Sequence, residues 1–146
     1  MVFRADIGLA DLTSEPHISI SSSLHNPVDL DNLKTRIQNM ATKQHLFRIH
    51  FNTPAFGGGG AWGGLSVTLT DDLQTLHDAV MQTIRGAITF SDDHSYHPHV
   101  TIFQSATPEE SQKGHASGPQ IDFGTGFDIS SIELVGRLGP PRGGTR

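Results

Sequence analysis

The sequence contains no cysteine. That excludes disulfides, a thiolate nucleophile and any zinc site built on cysteine. It also lacks an excess of basic residues: 10 Lys and Arg stand against 15 Asp and Glu, a formal net charge of −5. A broad, non-specific nucleic-acid surface needs clustered cations and is therefore not expected, although a nucleotide or one RNA end held in a cleft is compatible with this balance. No apolar run reaches the length of a membrane span. The opening "MVFRADIGLADL" has two aspartates and no long apolar core, which makes a poor signal peptide. A soluble intracellular protein is the expectation. The 146 residues suit a single domain, expected over 1–138, with "GPPRGGTR" at 139–146 as a disordered tail.

What the chain does contain is alternation and helical periodicity separated by turn residues, with 16 glycines and 8 prolines to make the turns. Strands are predicted over Val2 to Leu9, "HISIS", "HLFRIHF", "LSVTLT", "HVTIF" and "FDISSIELVGRL". "DLDNLKTRIQNMATKQ" places Leu30, Leu33, Ile37, Met40 and Ala41 at helical spacing, with Asp29 or Asp31 as cap. A second helix, capped by Thr70 or Asp71, carries the stripe Leu73, Leu76, Val80 and Ile84. "TPEESQKGH" predicts a short helix with Pro108 in its first turn. The glycine-rich stretch from Asn52 to Gly64 reads as a mobile hairpin loop. It is no phosphate-binding P-loop, because no Lys-Ser or Lys-Thr follows and the next element is a strand.

One pattern occurs twice. "EPHISI" near the start and "YHPHVTIF" in the second half both carry Pro, His, an aliphatic residue, a hydroxyl and Ile. Strand period two points His17 and Ser19 one way and Ile18 and Ile20 the other; likewise His99 and Thr101 against Val100 and Ile102. Each motif is followed by a helix and a strand, and Ile49 trails His17 by almost the interval at which Ile132 trails His99. Two such units related by a pseudo-twofold bring two imidazoles and two hydroxyls to one cleft floor. Two histidines can serve as general base and general acid on opposite sides of a phosphorus. Hydroxyls two residues on can hold the non-bridging oxygens as charge builds there.

These residues resemble the 2H phosphoesterases, a family named for two His-x-Thr/Ser motifs flanked by aliphatic residues. It includes the 2′-5′ RNA ligase-like proteins and cyclic phosphodiesterases. "HISI" and "HVTI" carry the resemblance, together with "LSVTLTDDLQTLHDAV" ahead of motif two and the closing "FDISSIELVGRL". The resemblance implies an α+β fold: two-lobed, pseudo-symmetric antiparallel sheets with flanking helices and a central cleft. It implies His17 and His99 as the catalytic pair, Ser19 and Thr101 as phosphate ligands, no cofactor, and an RNA end or small nucleotide as substrate. The reaction would be metal-independent hydrolysis of a 2′,3′-cyclic phosphate or a 2′-5′ phosphodiester.

Two departures stand out. The strand and helix that precede motif two have no full counterpart ahead of His17, so a shortened form or a reduced first lobe is the expectation. An unshielded sheet then leaves both a monomer and a homodimer open. In addition, "FQSA" at Phe103 to Ala106 lacks the basic residue that many relatives place after motif two.

Rival readings use the same residues. "DDHSYHPH" offers Asp92, Asp93, His94, His97 and His99 as ligands for a divalent metal, though a polar loop entering a strand explains them as well. A non-catalytic binder of nucleotides or RNA ends would keep the same hydroxyls. Tyr96 and Trp62 are candidates to stack a base. The remaining histidines, His25, His45, His50, His77 and His115, read as solvated.

Overall fold

The structure, a computed structural model, describes residues 17–20, 24–25, 29–85, 89–90 and 95–133. The strand expected over Val2 to Leu9, the Asp92, Asp93 and His94 cluster and the 139–146 tail lie outside these residues. Elements run in the order β1 (Leu24–His25), α1 (Leu30–Ala41), β2 (Phe47–Gly59), β3 (Trp62–Val67), α2 (Asp71–Ile84), β4 (Thr89–Phe90), β5 (His99–Gln104), α3 (Pro108–Ser117) and β6 (Gly126–Ile129). β5, β3, β2 and β6 form an antiparallel sheet in that order, and β1 pairs with β4. The fold is α+β.

The helices start where side-chain oxygens take up orphan amides. Asp29 accepts from the Asn32 amide at 3.0 Å, Thr70 from Leu73 at 3.3 Å and Thr107 from Glu110 at 3.2 Å. In α3 the Glu110 carboxylate also reaches back to accept from the Ala106 amide at 2.9 Å, so the same turn is closed from both sides. Leu73, Leu76, Val80 and Ile84 are all buried, as their spacing predicts.

The sheet is apolar on one face and polar on the other, the usual arrangement of an antiparallel sheet with one wet side. Ile49, Leu65, Val67, Val100 and Ile102 point inward, where Leu73 of α2 and Phe123 meet them. Leu33 and Met40 of α1 pack with Leu76, Val80 and Ile84 of α2 in a second cluster. Ile20 and Phe47 touch both clusters and join them. Each fully buried aliphatic side chain contributes about 1.5–3 kcal/mol, so these two clusters hold the sheet against the helix pair. The outward face carries Arg48, His50 and Asn52 of β2, Ser66 of β3, and His99 and Thr101 of β5.

Three elements depart from the sequence reading. The glycine-rich stretch is not a loop: β2 and β3 run through it in register from Phe56↔Leu65 to Gly59↔Trp62, leaving only Gly60 and Ala61 as the turn. β5 bulges between Gly64↔Thr101 and Gly63↔Phe103. The extra residue, Ile102, resets the alternation, so Ile102 and Phe103 both face the interior. Phe103 is then roofed by α3, where Gly114 lets the helix lie directly on its ring. Finally, the closing strand is short. β6 ends at Ile129, residues 130–133 are not in a strand, and Glu133 is the last described residue.

Candidate active site

Among the described residues, motif one meets the sheet at one antiparallel bridge, between Ile18 and Val100. Val100 is also the partner of Leu65 on its other side, so motif one lies along the outer edge of β5. The two motifs thus meet edge to edge at this bridge. Continued by one residue each way, the antiparallel register would set His17 opposite Thr101 and Ser19 opposite His99. Because Ile18 and Val100 face the core, all four flanking residues face the open side.

In an antiparallel pair, directly opposed residues stand about 4.5–5.5 Å apart, and diagonal ones about 7–8 Å. On that register each histidine would face the other motif's hydroxyl, and the two histidines would lie on a diagonal. The strands that follow the two post-motif helices, β2 and β6, also pair antiparallel, from Phe47↔Ile129 to His50↔Gly126.

His99 is exposed, and its Nδ1 lies 2.9 Å from the His97 carbonyl. A carbonyl only accepts, so Nδ1 carries the proton and Nε2 is turned to the open face. The Trp62 ring lies 5.2 Å from the His99 ring, tilted by 45°, and is 37% exposed. On the other flank of His99, Ser66 accepts from Asn52 Nδ2 at 2.6 Å, and Asn52 Oδ1 accepts from Thr68 Oγ1 at 2.8 Å. Ser66 is the β3 residue paired with His99. Sequence reasoning missed this hydroxyl-amide group, because nothing local marks Ser66 as the cross-strand neighbour of a residue so distant in the chain.

Tyr96 is placed differently from Trp62. Its hydroxyl donates to the Ser19 carbonyl at 3.0 Å, and one ring face is covered by His77, stacked 4.1 Å away and inclined by only 4°. His77 was read as a solvated helix residue; instead it is half-buried, with Nδ1 2.8 Å from the Ile20 carbonyl. His115, expected to be solvated, lies in α3 with its ring edge-on to Phe103 at 5.2 Å. His45 pairs with Asp72 at the surface at 2.9 Å.

Burial pushes the Tyr96 phenol up to about 12. The folded chain thus holds this proton more tightly than the unfolded one. The stability this contributes is complete below the phenol's ordinary value of about 10 and is lost as pH rises through about 12. Tyr96 is the sole tyrosine, so phenolate absorbance reports it alone. The expected titration midpoint is near 12 in the folded protein and falls to about 10 in denaturant.

The family model described as the 2′-5′ RNA ligase superfamily matches residues 9–140. The chain belongs to that superfamily. No curated protein matches the chain. Both motifs lie within the matched stretch, and this superfamily of 2H phosphodiesterases and ligases is one of enzymes acting on phosphodiesters. Among the described residues no group of three or more His, Asp or Glu is placed to hold a metal ion. No described helix is long and apolar enough to cross a membrane.

Proposed function

We propose that this superfamily member is a phosphodiesterase that hydrolyses a 2′,3′-cyclic phosphate or a 2′-5′ phosphodiester, at an RNA end or in a small nucleotide. The observation that carries the reading is the Ile18–Val100 bridge. Continued by one residue each way, its register would bring His17 and His99 onto a diagonal, with Ser19 and Thr101 at the other two corners. Water placed by one imidazole attacks phosphorus and gives that imidazole its proton. The bond from phosphorus to the ribose oxygen breaks, and the second imidazole, protonated at the start, gives its proton to that oxygen. The product is a phosphomonoester in the cyclic case, and solvent exchange resets the two histidines. Ser19 and Thr101 donate to the non-bridging oxygens, where negative charge grows. The exposed face of Trp62 beside His99 offers a stacking surface for the base. Tyr96 offers one ring face at most, since His77 covers the other.

Acid and base both come from imidazoles in this scheme, so a chelator should not affect it. The expected result is turnover of nucleoside 2′,3′-cyclic monophosphates, or of a 2′-5′-linked dinucleotide, undiminished by EDTA. Turnover abolished by EDTA and restored by a divalent metal would return the "DDHSYHPH" segment to consideration as a ligand set. Tight binding of these compounds without turnover would make the chain a binding domain instead.

A further inference from the structure

We propose that His77 and Tyr96 are positioning residues that fasten motif one from behind, and so set where His17 and Ser19 stand relative to His99 and Thr101. The kinetic consequences rest on the phosphodiesterase reading above; the structural consequences do not.

A strand is normally held by a ladder of backbone hydrogen bonds. Among the described residues motif one has one bridge, at Ile18. Next to it two carbonyls of motif one accept from side chains: Ser19 from the Tyr96 hydroxyl at 3.0 Å, Ile20 from His77 Nδ1 at 2.8 Å. These bonds hold the backbone of motif one from outside the sheet. They also come from elements that are themselves well anchored. His77 follows Leu76 on α2, whose apolar stripe is buried throughout. Tyr96 lies three residues before His99, in the segment that leads into β5. Motif one is therefore tied to β5 by the Ile18–Val100 bridge and to the segment leading into β5 by the Tyr96 hydroxyl.

The two rings act as a unit. They are stacked in parallel at 4.1 Å, so displacing either disturbs the other. Both protons needed are present at neutral pH: the phenol stays protonated far above it, and an imidazole facing a carbonyl keeps its Nδ1 proton in either charge state. Both bonds end on backbone carbonyls of motif one, so the pair acts through the placement of that backbone and not through bond-making at phosphorus.

The test separates bond from ring. Tyr96→Phe keeps the stacked ring and removes only the hydroxyl. His77→Phe keeps a flat ring and removes the donor, while His77→Asn restores an N–H near the Nδ1 position without the aromatic stack. Loss of either donor is expected to lower kcat about fivefold to twentyfold with little change in KM, and His77→Asn is expected to recover part of it. The double variant Tyr96→Phe, His77→Phe is expected to fall short of the product of the single effects, because both donors hold one segment. Amide hydrogen exchange supplies a readout independent of turnover. Exchange at residues 17–20 should accelerate in both donor-less variants while β2 and β3 keep wild-type protection. Met40→Ala, a destabilised control in the α1–α2 cluster, should not loosen 17–20 selectively. Uniform acceleration across the sheet, or unchanged exchange at 17–20, would overturn the proposal. If the wild type turns over none of the phosphodiesters, the functional reading fails and the exchange pattern alone decides on the positioning pair.

Discussion

Replacing His17 or His99 by alanine is expected to lower turnover by about 10²- to 10⁴-fold, each to a similar extent, with the protein still folded. The similarity follows from the proposed scheme, in which each imidazole does half of one proton relay. One must begin neutral and the other protonated, so wild-type activity should follow a bell-shaped pH profile. Each variant should lose one limb of that bell along with most of its rate. His45, paired with Asp72 at the surface, provides the control, and His45→Ala should leave the profile unchanged. If one motif histidine can be removed without loss, the paired relay is wrong, and the remaining histidine would have to act with a different partner.

The parts of this arrangement that were legible in the sequence are those set by local periodicity. Leu73, Leu76, Val80 and Ile84 are spaced for one helix face and are buried on it. Thr70 and Thr107 cap because a hydroxyl before a helical run meets orphan amides wherever the run occurs. Period two split His99 and Thr101 from Val100 and Ile102 correctly, since that split needs no partner strand. Partnership itself was not legible. Nothing near Ile18 says that it opposes Val100. His77 shows the same limit. A polar helix position with apolar neighbours is solvated unless something distant approaches, and here both Tyr96 and the Ile20 carbonyl do. The glycine-rich stretch misled for another reason. Glycine disfavours strands intrinsically, but the β2–β3 pairing and the close approach of β5 override that preference.

That close approach is the basis of the second large effect. Gly64→Ala is expected to cost about 3 kcal/mol of folding stability, the upper part of the usual range for overpacking. Gly64 is buried and pairs with Thr101. A Cβ there would stand 2.1 Å from the Val100 carbonyl oxygen and 3.1 Å from the Thr101 Cα. Both are backbone atoms, so no side-chain rotation relieves the contact. β3 and β5 would have to separate, and they would do so at Val100, the residue on which motif one is bridged. Folded molecules of the variant should therefore also turn over substrate more slowly, because Thr101 and His99 shift relative to His17 and Ser19. Gly59→Ala is the matched comparison. Gly59 lies in the same glycine-rich hairpin, yet a Cβ there meets nothing within 4 Å, so its effect should stay within about 0.5 kcal/mol. Urea denaturation of the two variants measures the difference directly. Equal costs would mean that the separation of β3 and β5 is not what holds the two motifs in register. Motif one would then owe its place to the Tyr96 and His77 bonds more than to its bridge, and the double variant of those residues should misplace it further than Gly64→Ala does.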